Sequence, residues 1–266
     1  MTNYNHTRMI RFSPCIEMLF NKIPFIDRID AIADAGFPAF EFWGWRSKDV
    51  DGISKRRKEY GLAVSAFGVD PSGRIVDESA KKEFMEGLND SIVVAQKLEC
   101  SRLIVTTGNE MTGVSRKVQH DSITKSLKEA SKIAEKADIT IVLEPLNILV
   151  DHKGYYLFSS REGFDIISEV NSPKVRLLYD IYHLQIMEGN LIDTITKNIN
   201  VIDHFHLADV PGRHEPGTGE INYANVLRRI DETGYDGFVG LEFMPTTDSG
   251  SALEKVMNIL NRSSIY

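Results

Sequence analysis

The chain has 266 residues, 42% of them hydrophobic and 26% charged, enough to bury a substantial core without disulfides or a structural metal. Its net charge of −7 and pI near 5.6 weigh against a nucleic-acid-binding surface, which needs a basic stripe to displace counterions. Cys15 and Cys100 are far apart, Met1–Ile10 lacks the apolar core of a secretory leader, and no run approaches the ~20 apolar residues of a membrane span, so a soluble cytoplasmic protein is expected.

Short apolar runs alternate with longer amphipathic ones. In chain order, a strand at Met9–Phe12 leads to a helix at Phe25–Ala35, Ala39–Phe42 to a helix around Ser54–Tyr60, Ala63–Phe67 to Ala80–Leu98, and Arg102–Thr106 to Ser122–Ala137. In the second half Thr140–Glu144 precedes a helix at Arg161–Val170, Arg176–Asp180 one at Leu191–Asn198, Ile202–His206 one at Tyr223–Thr233, and Phe238–Glu242 one at Ser251–Asn261. Strict alternation implies parallel strands with right-handed crossovers. The expected fold is α/β, a single (β/α)₈ TIM barrel over residues 1–266. A doubly wound open sheet is the alternative, but it would stop at fewer strands, and no GxGxxG turn follows the first strand. The longest strand-to-helix connections, Trp43–Ile53, Asn147–Ser160 and Ala208–Asn222, all follow strand C-termini, the face where barrel enzymes place their active sites.

Four consecutive strand ends each carry one metal-binding side chain: Glu144, Asp180, His206 and Glu242, spaced 36, 26 and 36 residues apart. One such residue alone reads equally well as a helix cap or an ion-pair partner; four on successive βα units point at a common centre. Three carboxylates and an imidazole form a donor set of intermediate hardness, suited to one divalent cation, with Mn²⁺ or Mg²⁺ favoured and Co²⁺ or Zn²⁺ compatible. Open coordination positions would remain for substrate oxygens.

Specific segments carry a resemblance. Tyr179-Asp180-Ile181-Tyr182-His183-Leu184-Gln185 and Asp209-Val210-Pro211-Gly212-Arg213-His214-Glu215-Pro216 closely resemble hydroxypyruvate isomerases. So do Gly219-Glu220-Ile221-Asn222-Tyr223 and Gly234-Tyr235-Asp236-Gly237, while Glu41-Phe42-Trp43-Gly44-Trp45 looks like that family's second-strand end. These enzymes belong to the xylose isomerase-like TIM-barrel superfamily, which also holds ketose 3-epimerases and endonuclease IV. The resemblance implies that Glu144, Asp180, His206 and Glu242 hold the metal and that Glu144 and Glu242 are the catalytic acid/base pair. It further implies substrate contacts from His183 and Arg213, whose guanidinium suits a carboxylate or hydroxyl. One position departs from the pattern: some hydroxypyruvate isomerases carry glutamine where this chain has His206, and 3-epimerases carry histidine.

The chemistry these residue types suit is removal of a C–H proton next to a carbonyl by one carboxylate and its return by another. A divalent cation would stabilise the enediolate between the two transfers. Trp43 and Phe67 are expected to wall the substrate. Trp45, His214 and Glu215 divide evenly between mouth and packing roles. His204 is expected to face the helices, away from His206. His6, His120 and His152 read as surface residues, Glu110 and Asn109 as structural, and Lys81-Lys82 and Arg56-Arg57-Lys58 as solvated helix faces. The leading function is a metal-dependent isomerase of a small sugar or hydroxy-keto acid. A ketose 3-epimerase of the D-tagatose/D-psicose type is the runner-up. An endonuclease IV-like nuclease or a non-catalytic sugar-binding barrel is more distant. Analogy with the superfamily suggests a homodimer or homotetramer.

Overall fold

The computed structural model describes residues 10–71 and 74–263; Met9 and His6 therefore lie outside the described residues. The elements run in chain order as β1 (Arg11–Pro14), α1 (Phe25–Asp34), β2 (Ala39–Phe42), α2 (Val50–Tyr60), β3 (Ala63–Gly68), α3 (Lys81–Leu98), β4 (Arg102–Val105) and α4 (Arg116–Ala137). They continue as β5 (Thr140–Leu143), α5 (Ser160–Val170), β6 (Val175–Asp180), α6 (Ile181–Met187), α7 (Leu191–Asn198), β7 (Ile202–Leu207), α8 (Tyr223–Glu232), β8 (Phe238–Leu241) and α9 (Ser249–Ser263). The strands form one eight-stranded sheet in the order β1-β8-β7-β6-β5-β4-β3-β2, with every pairing parallel. β1 and β2 meet across the remaining gap through the parallel bridge Cys15–Glu41, where the Ile16 N–H donates to the Glu41 carbonyl at 2.9 Å. The result is the expected TIM barrel.

The helices show why the pattern was readable. In α8 the buried residues are Tyr223, Val226, Leu227 and Ile230, one face of a 3.6-residue repeat. α4 begins earlier than expected because the Ser115 hydroxyl accepts from the Val118 N–H and caps it. α2 ends on Gly61 at φ 68°, a left-handed position that costs glycine little. Arg57, expected on a solvated face, is buried and paired with Glu99 at 2.5 Å. Among the described residues no helix is long and apolar enough to cross a membrane.

The helix α6 was not anticipated. Asp180, the last residue of β6, accepts the His183 N–H at 2.9 Å and caps a helix that starts at the very next residue. A strand therefore runs into a helix with no loop between them, and the usual punctuation by Gly or Pro is missing. One oxygen of Asp180 is thereby committed to the cap, and the other lies 3.7 Å from His183 Nε2 and 3.9 Å from His206 Nδ1.

The barrel interior is chemically divided. Ala66, Ile104, Val142 and Leu178 form a small apolar cluster on one side. The other side holds the buried polar residues Ser13, Glu41, Ser65 and His204. β3 bulges here, since Phe40 pairs with Val64 but Phe42 with Phe67, so Ser65 and Ala66 both stand opposite Glu41.

Candidate active site

Glu144, Asp180, His206 and Glu242 each offer one donor atom, and the four atoms lie within 4.8 Å of one another. The parallel register that sets Asp180 beside His206 aligns the ends of these strands. The N–H groups of Glu144 and Glu242 extend the ladder by donating to Val105 and Leu207 at 3.1 Å. His206 is the hub: its Nδ1 lies 3.3 Å from Glu144, 3.5 Å from Glu242 and 3.9 Å from Asp180. Burial alone would depress the basicity of His206, but the carboxylates of Glu41 and Glu242 outweigh it and raise its pKa well above the ordinary histidine value. Burial raises the pKa of Asp180. Three carboxylates at 7% exposure or less thus gather around a point that demands positive charge.

Glu242 is tethered at both oxygens. The Trp43 indole N–H donates to Oε1 at 2.7 Å and Arg213 to Oε2 at 2.5 Å. Burial opposes ionisation, yet Arg213 and then His206 hold the Glu242 pKa well below the usual carboxylate range. Arg213 sits at φ 56°, a left-handed conformation that costs a non-glycine residue on the order of 1 kcal/mol. Its guanidinium lies 5.3 Å from the Tyr182 ring centre, and its buried Nε has no partner among the described residues.

His183 is held in one tautomer. The backbone and side-chain N–H groups of Asn147 donate to its Nδ1 at 3.2 and 2.7 Å, so the proton resides on Nε2. Burial, with Arg213 adding, pulls its pKa down to about 3. It is a neutral donor whose Nε2 has no hydrogen-bond partner among the described residues and lies 3.7 Å from Asp180 Oδ2. Asn147 is fixed in turn by the N–H groups of Val150 and Asp151 on its Oδ1.

These groups line a cavity of about 380 Å³. Glu144, His206, Glu242, Arg213 and His183 stand on its polar side, with Trp43, Val69, Ile104 and Leu146 as apolar walls. The size falls in the lower part of the ~300–1,000 Å³ range of small-molecule sites.

The barrel agrees with a family comparison. The model of the xylose isomerase-like TIM barrel family matches residues 29–262. The chain belongs to this family. Escherichia coli (strain K12) hydroxypyruvate isomerase is 31% identical over 252 residues, covering 92% of this chain and 97% of the relative. A 2-oxo-tetronate isomerase from Pectobacterium atrosepticum is 30% identical over 245 residues, covering 89% and 93%. The crystal structure of an AP endonuclease, family 2, from Brucella melitensis superposes with a TM-score of 0.89 at 29% identity, covering 94% of this chain and 99% of that one. The isomerases among its relatives support an isomerase enzyme.

Within this xylose isomerase-like barrel, several expectations need correcting. Phe67 is not a substrate wall: it is fully buried and stacks on Phe42 at 5.1 Å, while its neighbours Gly68 and Val69 line the cavity. The bulge at Ser65–Ala66 shifts the in-out alternation of β3 and turns Phe67 away. His204 does not face the helices. Two residues apart on a strand means one face, and His204 enters the barrel beneath His206, 2.9 Å from Glu41. His152, expected on the surface, lines the cavity and packs edge-on against His183 at 5.3 Å. Trp45 is a packing residue whose indole N–H donates to Ser91 at 2.8 Å. His214 and Glu215 order the loop, the first bonding the Met244 carbonyl at 2.7 Å and the second holding Thr246 and Lys255. Glu110 pairs with Arg116 at 3.1 Å.

Glu41 was missed as a site residue. Its Oε1 lies 3.0 Å from His206 Nε2, and its Oε2 accepts from His204 at 2.9 Å and from Ser65 at 3.1 Å. The available signal was one acidic residue inside the otherwise apolar run Ala39-Phe40-Glu41-Phe42. Gly240 on β8 makes room for this pair, since a methyl group there would overlap Glu41 Oε1 and His206 Cδ2. Gly240→Ala is expected to cost about 1–3 kcal/mol of stability, as overpacking of a rigid core does. Chemical denaturation at unchanged slope would measure this.

Proposed function

We propose that the chain is a divalent-cation-dependent isomerase of a short hydroxy-keto acid of the hydroxypyruvate kind, with Glu144 and Glu242 as the proton-transferring pair. The convergence of Glu144, Asp180, His206 and Glu242 within 4.8 Å of one another, with Glu144, His206 and Glu242 at the wall of the cavity, carries this reading. The donor set fits a cation: the buried His206 Nδ1 has no hydrogen-bond partner among the described residues and faces three carboxylates. These four residues would hold it, and when bound it would supply Lewis-acid polarisation of a substrate carbonyl and adjacent hydroxyl.

The protein's own groups divide the remaining work. Arg213 presents a fixed guanidinium whose free Nε suits a substrate carboxylate or hydroxyl. His183 offers a neutral N–H donor to a substrate oxygen. A carboxylate placed beside the substrate takes the C–H proton next to the carbonyl and, as a carboxyl, returns a proton to the neighbouring carbon, while the hydroxyl proton passes to the former carbonyl oxygen. The apolar walls at Val69, Ile104 and Leu146 restrict water around that transfer.

The 3-epimerase reading uses the same residues and is favoured by one feature, the imidazole at position 206. A nuclease reading is disfavoured by the ends of β3 and β4, which present Gly68 and Thr106-Thr107 where further histidines would be needed for additional zinc. Hydroxypyruvate, tartronate semialdehyde, ketopentoses and ketohexoses incubated with the protein and Mn²⁺ or Mg²⁺ in D₂O separate these cases. The expected result is deuterium uptake and interconversion of the two three-carbon acids. Exchange confined to carbon 3 of a ketohexose would establish the epimerase instead, and no exchange with any of them would leave a binding protein.

A further inference from the structure

We propose that Glu41 is a positioning residue for the cation site: its carboxylate, 3.0 Å from Nε2 of His206, holds that ring so that Nδ1 is the nitrogen facing Glu144, Asp180 and Glu242. The inference rests on the reading of those four residues as a cation centre. A histidine ligand binds through one bare nitrogen, and the group on its other nitrogen decides which one is bare.

The geometry commits Glu41 to this task. Its two oxygens are divided, Oε1 to His206 at 3.0 Å and Oε2 to His204 and Ser65 at 2.9 and 3.1 Å. Ser65 is in turn joined to Ser13 at 2.5 Å. The carboxylate is therefore held from β3 and β7, with Ser13 of β1 behind Ser65. Gly240, from β8, is the residue whose missing side chain lets Glu41 and His206 meet. Oε2 is hydrogen-bonded to His204 and Ser65, while Oε1 makes an ion-pair contact with His206 Nε2 at 3.0 Å. The Glu41–His204–His206 cluster is thus the support of the cation site above it and not a second one.

The test compares metal-stripped wild-type protein with Glu41→Ala and Glu41→Gln by titration calorimetry with Mn²⁺, together with melting of the metal-free proteins. Glu41→Ala is expected to bind Mn²⁺ about 10–100-fold more weakly, the usual effect of losing a ligand's supporting partner. Glu41→Gln, whose amide oxygen can still face Nε2, is expected to recover much of that loss. A purely structural Glu41 would lower the melting temperature and leave the affinity of the folded protein unchanged, and that result overturns the proposal. A measurement on the unaltered protein guards against a misfolded variant. Long-range ¹H–¹⁵N correlation of the Mg²⁺-loaded wild type should find the His206 proton on Nε2, and a proton on Nδ1 would refute the assignment. Wild-type protein that binds no Mn²⁺ refutes the cation centre itself, whereas tight wild-type binding matched by Glu41→Ala refutes only the role of Glu41.

Discussion

Glu144→Gln is expected to lower kcat/KM on the accepted substrate by about 10²–10⁴-fold, the range a positioned general base contributes, with Mn²⁺ still bound. The two glutamates are not equivalent in their surroundings. Glu242 is tied to Trp43 and Arg213 through both oxygens, and Arg213 holds it ionised. Glu144 is free of that double tether and lies 3.3 Å from His206 at the cavity wall. It is therefore better placed to pick up and release a proton during turnover. Glutamine keeps the size and one oxygen ligand, so the loss should fall on kcat while the metal, counted by electron paramagnetic resonance, remains. Glu242→Gln removes the charge partner of Arg213 as well and should disturb both KM and kcat. Solvent exchange of the substrate C–H at the wild-type rate in both variants would eliminate these residues as the acid/base pair.

Asp180 supports a second prediction because its two oxygens do different work. Oδ1 accepts the His183 N–H at 2.9 Å and caps α6, while Oδ2 faces His206 Nδ1 at 3.9 Å. Asp180→Asn keeps a good cap and removes the charge; Asp180→Ala removes both. Both variants should weaken Mn²⁺ binding by at least about 100-fold, beyond the upper range for losing a supporting group. Their metal-free stabilities should differ. Burial raises the Asp180 pKa in the fold, so the ionised carboxylate is disfavoured there and a neutral asparagine relieves that cost. Asp180→Ala should be about 1 kcal/mol less stable than Asp180→Asn, the typical cost of a lost N-cap. Wild-type Mn²⁺ affinity in Asp180→Asn would remove Asp180 from the ligand set.

The strand–helix alternation was legible because each element carries its own local period, such as the buried face of α8. Its breaks were not. α6 follows β6 without a loop, so a reading that waits for punctuation passes over it. Phe67, the last residue of the strand expected at Ala63–Phe67, was expected to wall the substrate, and the bulge opposite Glu41 turned it into the core. His152 carries no periodic signal at all: it reaches the cavity because its loop folds back over His183.

The order of residues along the chain was sufficient to determine the barrel and the strand ends from which Glu144, Asp180, His206 and Glu242 project. That information is local: a strand's period, a helix's stripe and the spacing between them. Only the tertiary structure decided what those groups touch. Glu41 meets His204 across 163 positions of sequence, and Trp43 meets Glu242 across 199, because barrel closure brings β2 within reach of β7 and β8. Such contacts leave no periodic trace in the chain, since they depend on how the sheet curves, where β3 bulges and where Gly240 leaves a space.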